Sequence, residues 1–282
     1  MMDYLDGEDL ACIGKTSRIG RQYAASTIFR RVFALFRWEL RSYDNFVEIL
    51  EQTGSVIGGL AALCILFPEF GGPASHVHIY APRATHGNVV DYLVSEEGFG
   101  SEVVDPDPEK TGLLKHMDGV LSVVRVTKGD VMLDIVQSRN SSPLFPITSE
   151  WCSGLFNYIA SRSYMSAYAP LNRDSRILLS PSRLLPGNAA PEGVRRSMLF
   201  WRRSGWEIAL HWRQWCGGAQ NCDGVNSLGC AAANRYFGDR FCVWGSTRAI
   251  GEPTESGGRD PSETVTVAWW RGGRTCRDAC SR

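Results

Sequence analysis

The segment between residues 55 and 80 constrains the fold most, because a double glycine joins a strand-like run to a helix-like run within it. Residues 55–57 are β-prone, Gly58 and Gly59 follow, and a helix-like run continues to a proline. After a glycine-rich loop, residues 76–80 alternate polar and apolar side chains, as a half-buried strand does. This order of strand, turn, helix and strand predicts an α/β protein.

Periodicity predicts further elements on both sides of this segment. Apolar side chains that recur every three to four residues favour helices, and β-branched runs bounded by turn residues favour strands. The turn Lys128-Gly129-Asp130 indicates a hairpin, and residues 1–15 have the composition of a poorly ordered tail. The predicted helices span residues 26–40, 44–52 with Asp44 as N-cap, 60–67, 88–97 and 150–164, and the predicted strands span 120–126, 131–136, 241–244 and 264–270.

The distribution of charge and apolar residues narrows the functional classes. The longest apolar run, residues 56–67, is shorter than the about 20 residues of a membrane helix, so we expect no membrane span. The acidic amino terminus lacks the pattern of a secretory signal, which favours a cytoplasmic or nuclear protein. Residues 42–150 are acidic and residues 151–282 are basic, which we interpret as two solvated faces or an internal contact between the regions rather than as a nucleic-acid interface.

The order of these parts resembles the nucleotidyltransferase superfamily. In that family a Gly-Gly or Gly-Ser turn opens a helix after the first strand, and the next strand carries two carboxylates one residue apart. A third carboxylate lies on a later strand, and the three hold two divalent metal ions against a nucleoside triphosphate. Here Gly58 and Gly59 match the turn and Asp134 matches the third carboxylate, but His76 and His78 stand at the first two positions.

A group of uncharacterised proteins from mushroom-forming fungi resembles the chain more closely. These proteins combine a nucleotidyltransferase-like core with a Cys-rich tail. The matching patches, scattered over residues 40–280, are 53–63 (TGSVIGGLAAL), 76–82 (HVHIYAP, without the aspartates of the pattern), 155–159 (LFNYI), 167–170 (AYAP), Cys216-Gly217, Cys222, Cys230 and 270–276 (WRGGRTC). The resemblance implies a mixed sheet with flanking helices, followed by a small Trp- and Cys-rich appendage.

Three interpretations of the glycine turn and the histidines stay open. Imidazole is a softer donor than carboxylate and adds no negative charge, so His76 and His78 do not replace aspartates as Mg²⁺ ligands. A nucleotide pocket without catalysis remains, with Ser55, Gly58 and Gly59 near phosphate, although glycines also simply permit a strand and a helix to pack closely. The two histidines with Asp134 would alternatively form a two-His-one-carboxylate site for Zn²⁺ or Fe²⁺, and the favoured interpretation is that they are partly solvated substitutions at an inactive site.

The last third of the chain offers a second candidate metal site. It holds most of the nine cysteines and many of the nine tryptophans. A structural Zn²⁺ site is one interpretation, although the tight Cys-x2-Cys spacing of such sites is missing, and reduced thiols that fill a core are the other. The candidate ligands are Cys216, Cys222, Cys230 and Cys242.

The sequence therefore predicts four regions: an N-terminal tail and helix (1–39), a nucleotidyltransferase-like core (40–180), a linker (181–193) and a Trp/Cys-rich C-terminal region (194–282). The first functional hypothesis is a catalytically degenerate protein that is a nucleotide-binding remnant or a scaffold for an unknown protein partner. The alternatives are an active enzyme that recruits Glu69 or Asp134 to Mg²⁺, and a zinc-binding protein.

Overall fold

A computed structural model describes residues 4–36, 39–70, 76–104, 119–181, 192–215, 228–248 and 261–272. Within these ranges the protein is a mixed α/β structure, as the sequence predicts, with one large mixed sheet and helices packed around it. The strands are β1 (Val56–Gly58), β2 (His76–Ala81), β3 (Gly100–Val104), β4 (Val120–Lys128), β5 (Val131–Ser138), β6 (Asn157–Ile159), β7 (Ser163–Ser166), β8 (Arg176–Leu178), β9 (Glu207–Ala209), β10 (Asn234–Tyr236), β11 (Val243–Ser246) and β12 (Ala268–Trp270).

Eight strands form the main sheet in the order β11-β7-β6-β1-β2-β5-β4-β3. Neighbouring strands are antiparallel, except that β2 runs parallel to β5. The strands β8 and β9 form a small parallel pair, and β10 and β12 form an antiparallel pair. The parallel contact at the centre matters for function, because it places side chains of β2 and β5 on one face of the sheet.

The helices lie before, between and after these strands. Their bounds are α1 (Gly7–Thr16), α2 (Arg18–Phe36), α3 (Tyr43–Thr53), α4 (Gly59–Leu66), α5 (His86–Ser95), α6 (Leu144–Ile147), α7 (Ala169–Arg173), α8 (Glu192–Arg203) and α9 (Pro261–Thr264), with 3-10 turns at Pro68–Phe70, Ser153–Leu155 and Trp212–Gln214. The predicted elements between residues 44 and 136 are confirmed, with ends that differ by at most two residues. The N-cap of α3 is Ser42 rather than the predicted Asp44.

The prediction of a poorly ordered tail at residues 1–15 is wrong for the described part of that range. The side chain of Asp6 accepts hydrogen bonds from the backbone N–H groups of Glu8 and Asp9, both at 2.8 Å, and so caps α1. The acidic residues that suggest a solvated tail are thus the N-cap and first turn of a helix, where negative charge is favourable. The next helix also begins earlier than expected, at Arg18 instead of residue 26.

The predicted helix at residues 150–164 is also wrong. A 3-10 turn and the strands β6 and β7 occupy this range. The side-chain amide of Asn157 donates to the carbonyl of Gly154 at 2.7 Å, and Tyr158 and Tyr164 are fully buried. Pairing of β6 with the free edge of β1 satisfies the backbone polar groups of this segment, and this tertiary contact outweighs local helix propensity.

The C-terminal region contributes to the main sheet and its core. The strand β11 pairs with β7 at one edge of the sheet, two residues later than the predicted strand, while β12 covers only the end of the predicted range 264–270. Trp201 and Trp206 are buried against Phe70, with ring centroids 5.2 and 4.7 Å from it. The boundaries 40–180 and 194–282 stay a prediction, and the linker lies largely outside the described residues.

A buried ion pair joins α3 to the β7–β11 edge. Glu51 accepts hydrogen bonds from the guanidinium groups of Arg162, just before β7, and Arg248, just after β11. The Glu51 side chain is 3% exposed, whereas the two arginines keep about a quarter of their surface in water. Solvent therefore screens part of the interaction, although the carboxylate itself is fully desolvated.

Replacement of Glu51 by glutamine should lower the free energy of unfolding by about 2 kcal/mol, because two guanidinium groups would then converge on a neutral amide. Urea unfolding followed by tryptophan fluorescence measures this change. Glu48→Gln, on the exposed face of the same helix, is the matched control and should change stability by about 0.5 kcal/mol or less. Equal losses in the two variants would contradict the assignment.

Along the parts of the chain that the structure describes, no helix combines the length and the apolar character that a membrane crossing requires.

Candidate functional site

The parallel pair β2 and β5 brings together the three residues that the family resemblance singles out. His78 lies directly opposite Asp134 in the register, and His76 lies two residues earlier on the same face of β2. Asp134 is fully buried, while the side chains of His76 and His78 are 24% and 14% exposed. The site is thus a buried carboxylate flanked by two partly exposed imidazoles.

The distances between these side chains define a compact cluster. The Nε2 atoms of His76 and His78 lie 2.7 and 4.0 Å from Oδ2 of Asp134. The two imidazole rings meet edge to face, with centroids 4.9 Å apart. His76 Nε2 is buried and, within the described residues, makes no hydrogen bond, although Oδ2 of Asp134 lies 2.7 Å away.

Arg125 on β4 completes the cluster from the opposite side. It pairs with Asp134 across the β4–β5 hairpin, and its Nε and Nη2 atoms donate to Oδ1 and Oδ2 at 2.8 and 3.0 Å. Such a two-pronged contact fixes the orientation of the carboxylate. Burial alone would raise the pKa of Asp134, but the contacts with His76 and Arg125 outweigh burial and hold that pKa below its usual range.

The predicted glycine turn lies beside the histidines. Gly58 is opposite His78 in the register, and Gly59 opens α4 with a φ of 61°. A Cβ atom on Gly58 would come within 2.6 Å of the Tyr80 ring, and one on Gly59 within 3.0 Å of Nδ1 of His78. The two glycines therefore permit the side chains of β2 to pack closely against the turn. This is the packing role that the sequence offers as the alternative to phosphate binding.

A second carboxyl group lies next to the cluster and was not predicted from the sequence. The hydroxyl of Tyr80, two residues after His78 on β2, donates to Oε1 of Glu150 at 2.9 Å. Burial raises the pKa of Glu150 to about 7. It also raises the pKa of Tyr80 well above its usual value, with Glu150 and Asp134 adding to the effect. The alternation of β2 predicts that Tyr80 shares the face of the histidines, but the partner Glu150 comes from non-local packing.

Two other predicted site residues lie away from this cluster. The hydroxyl of Ser55 is buried at the opposite end of β1 and accepts a hydrogen bond from the hydroxyl of Thr53 at 2.8 Å. Glu69 lines a separate cavity with Asp6 and Arg173. Glu69 is therefore not brought to Asp134 as a further metal ligand.

The predicted cysteine site is only partly described. Cys216 and Cys222 lie outside the described residues, while Cys230 is buried and Cys242 is half-buried. The thiol of Cys242 donates to Oδ1 of Asp239 at 3.5 Å, and burial raises its pKa to about 11. Among the described histidines, cysteines and carboxylates, His76, His78 and Asp134 are the group of three whose ligand atoms converge, within 4.8 Å.

The donor set of this cluster decides which ions it suits. Mg²⁺ requires oxygen ligands in near-octahedral geometry, and two imidazoles with a single carboxylate do not provide them. The metal ions of an active nucleotidyltransferase therefore do not fit these residues. The same nitrogen and oxygen donors suit a borderline transition ion.

Any functional assignment rests on the geometry described above, because comparison with known proteins gives no assignment. No protein-family model, curated protein or solved structure matches this chain.

Proposed function

We propose that this chain is a catalytically degenerate nucleotidyltransferase-like protein that binds the phosphates of a nucleotide without transferring a nucleotidyl group. The arrangement of β1, β2 and β5 around a glycine turn supports the proposal, because it sets Gly58, His78 and Asp134 side by side at the centre of the sheet. In the family that the sequence resembles, this is where the catalytic carboxylates would stand.

The contacts of Asp134 are the main support for the proposal. Among the described residues it supplies the single carboxylate of the cluster, and Arg125 donates to both of its oxygens. A carboxylate held in this way already has a cationic partner. It does not need a divalent ion to offset its charge, and one carboxylate does not position two metal ions for phosphoryl transfer.

The charge balance of the cluster favours an anionic ligand over a catalytic metal pair. Three ionised carboxylates repel a triphosphate unless metal ions intervene, whereas here the charge of Asp134 is offset by Arg125. His76 and His78 present imidazole N–H groups that donate hydrogen bonds to phosphate oxygens. The backbone N–H groups at the start of α4 lie beside His78 and add further donors.

Each nucleoside triphosphate should therefore raise the melting temperature to the same extent in the presence of Mg²⁺ and in the presence of EDTA. A ligand that binds the folded state stabilises it by mass action, and at 100 times its dissociation constant the gain is about 2.7 kcal/mol. Thermal unfolding with ATP, GTP, CTP and UTP, followed by tryptophan fluorescence, measures the effect. Product analysis under the same conditions should show no nucleotidyl transfer.

A variant with both histidines replaced by aspartate tests the role of these residues. The His76→Asp/His78→Asp protein should lose the nucleotide-dependent rise in EDTA and regain it with Mg²⁺, because two added carboxylates repel phosphate until a metal ion binds. Asp130→Asn, at the exposed tip of the β4–β5 hairpin, is the control that should behave like the natural protein. A rise in melting temperature that requires Mg²⁺ in the natural protein would argue for an active site. If no nucleotide raised the melting temperature, nucleotide binding would be contradicted and the scaffold role would remain.

A further inference from the structure

We infer that His76, His78 and Asp134 bind a divalent transition ion of the Zn²⁺ class. This site differs in ligand chemistry from a Mg²⁺ site. It uses the same imidazoles as the proposed nucleotide site, but the ion would take their Nε2 atoms and leave the N–H groups at Nδ1 for phosphate. Two imidazole nitrogens and one carboxylate oxygen form a donor set that proteins use for Zn²⁺ and Fe²⁺.

The spacing of the donor atoms suits a single ion. Zinc lies about 2.0–2.2 Å from nitrogen and oxygen ligands, so two ligands of a tetrahedral ion are about 3.3 Å apart. The distances from Asp134 Oδ2 to Nε2 of His76 and of His78, 2.7 and 4.0 Å, fall on either side of this value. Small rotations of the two imidazoles would bring the three atoms to a common centre.

The missing hydrogen bond of His76 also supports a bound ion. Its Nε2 atom is buried and, in the described part of the chain, makes no hydrogen bond, although a carboxylate oxygen lies 2.7 Å away. A buried polar atom usually finds a partner, because leaving it without one costs free energy. An ion between the nitrogen and the oxygen would satisfy both atoms, whereas a simple ion pair would favour the aligned hydrogen bond.

The contact with Arg125 is compatible with an ion at the site. An ionised carboxylate has about four lone-pair positions, and the guanidinium uses one on each oxygen of Asp134. The second position on Oδ2 remains for the ion. Arg125 then acts as a positioning residue that holds the ligating carboxylate in a fixed orientation, as partners of metal ligands commonly do.

Three protein ligands leave a fourth position of a tetrahedral ion open. In proteins such a position holds water or an oxygen atom of a bound ligand.

The zinc content of the full chain tests this inference. Natural protein and a His76→Asn/His78→Asn variant are freed of metal with a chelator, equilibrated with Zn²⁺ and excess Mg²⁺, and analysed by mass spectrometry of the metal. Both proteins keep all nine cysteines, so any zinc held by thiols cancels in the difference. The natural protein should hold one more zinc ion per chain than the variant. Equal zinc contents, or loss of the extra ion to Mg²⁺, would overturn the inference.

A single substitution keeps the test decisive if the double variant does not fold. His76 is the most exposed of the three ligands and begins β2, so His76→Gln disturbs the sheet least. Zn²⁺ affinity, measured by competition with a fluorescent chelator, should fall by about tenfold or more in this variant. Unchanged affinity would show that the bound zinc lies elsewhere in the chain.

Discussion

Replacement of Arg235 by methionine should lower the free energy of unfolding by about 3–5 kcal/mol, because it removes one partner of a buried ion pair. The Arg235 side chain is 3% exposed and donates through Nε and Nη2 to both oxygens of Asp239. It also donates from Nη2 to the carbonyl of Ala167 at 2.8 Å. The substitution would leave Asp239, whose side chain is 10% exposed, without its cationic partner.

Aromatic contacts add to the effect of this substitution. The Arg235 guanidinium lies 4.7 Å from the ring centre of Tyr168, 5.1 Å from that of Phe241 and 5.5 Å from that of Trp269. Desolvated contacts between a cation and aromatic rings stabilise by up to about 2 kcal/mol. Arg235 thereby links the loop after β7 to β10 and β12.

Urea unfolding of the Arg235→Met protein measures the predicted loss, with Arg240→Met as the matched control. Arg240 is exposed and lies over the face of Phe241, so its substitution should cost about 0.5 kcal/mol or less. If the two variants unfolded at the same urea concentration, the structural role given to Arg235 would be wrong.

Replacement of Glu150 by glutamine should stabilise the protein by about 3 kcal/mol at pH 8 and have little effect at pH 4. Burial raises the pKa of Glu150 from 4.5 to about 7 in the folded protein. The folded state therefore holds this proton more tightly than the unfolded chain, and stability falls as the pH rises from about 4.5 to about 7. Above pH 7 the buried carboxylate is ionised in both states, and the difference stays constant.

The geometry of Glu150 suits this substitution. Glutamine retains an oxygen that accepts the hydrogen bond from Tyr80, and it replaces the ionisable carboxyl by a neutral group of nearly the same size. The amide does not ionise, so the variant should lose the part of the pH dependence between about 4.5 and about 7 that Glu150 causes.

Urea unfolding at half-unit pH steps from 4 to 8 measures the difference between the variant and the natural protein. Glu96→Gln, at the exposed C-cap position after α5, is the control and should leave the pH profile unchanged. A constant difference between the Glu150→Gln and natural proteins across this range would contradict the raised pKa.

Local patterns were sufficient to predict the centre of the fold. The glycine turn, the alternation of residues 76–80 and the hairpin at Gly129 each reflect a short-range rule, and the structure confirms these elements. The hairpin sequence alone also predicts the partner of Asp134. With Lys128 opposite Val131, the register places Arg125 opposite Asp134, so the partner of the carboxylate follows from counting residues back from the turn.

Features that depend on distant contacts did not follow from local patterns. Residues 150–164 form strands because β6 and β7 pair with β1 and β11, and no short-range rule reveals these partners. The raised pKa of Glu150 likewise depends on burial by segments remote in the sequence. The acidic start of the chain was misread for a different reason, since a cap is recognised only when the following residues are also taken as helical.

The Mg²⁺ dependence of nucleotide binding tests the central claim most directly. The nucleoside triphosphate with the largest thermal shift is titrated calorimetrically into the natural protein and into the His76→Asp/His78→Asp variant, each with EDTA and with Mg²⁺. We expect equal dissociation constants for the natural protein under the two conditions, and binding by the variant only with Mg²⁺. Binding by the natural protein only with Mg²⁺ would contradict the claim, because it would mean that His76, His78 and Asp134 still serve a metal-dependent nucleotidyltransferase site.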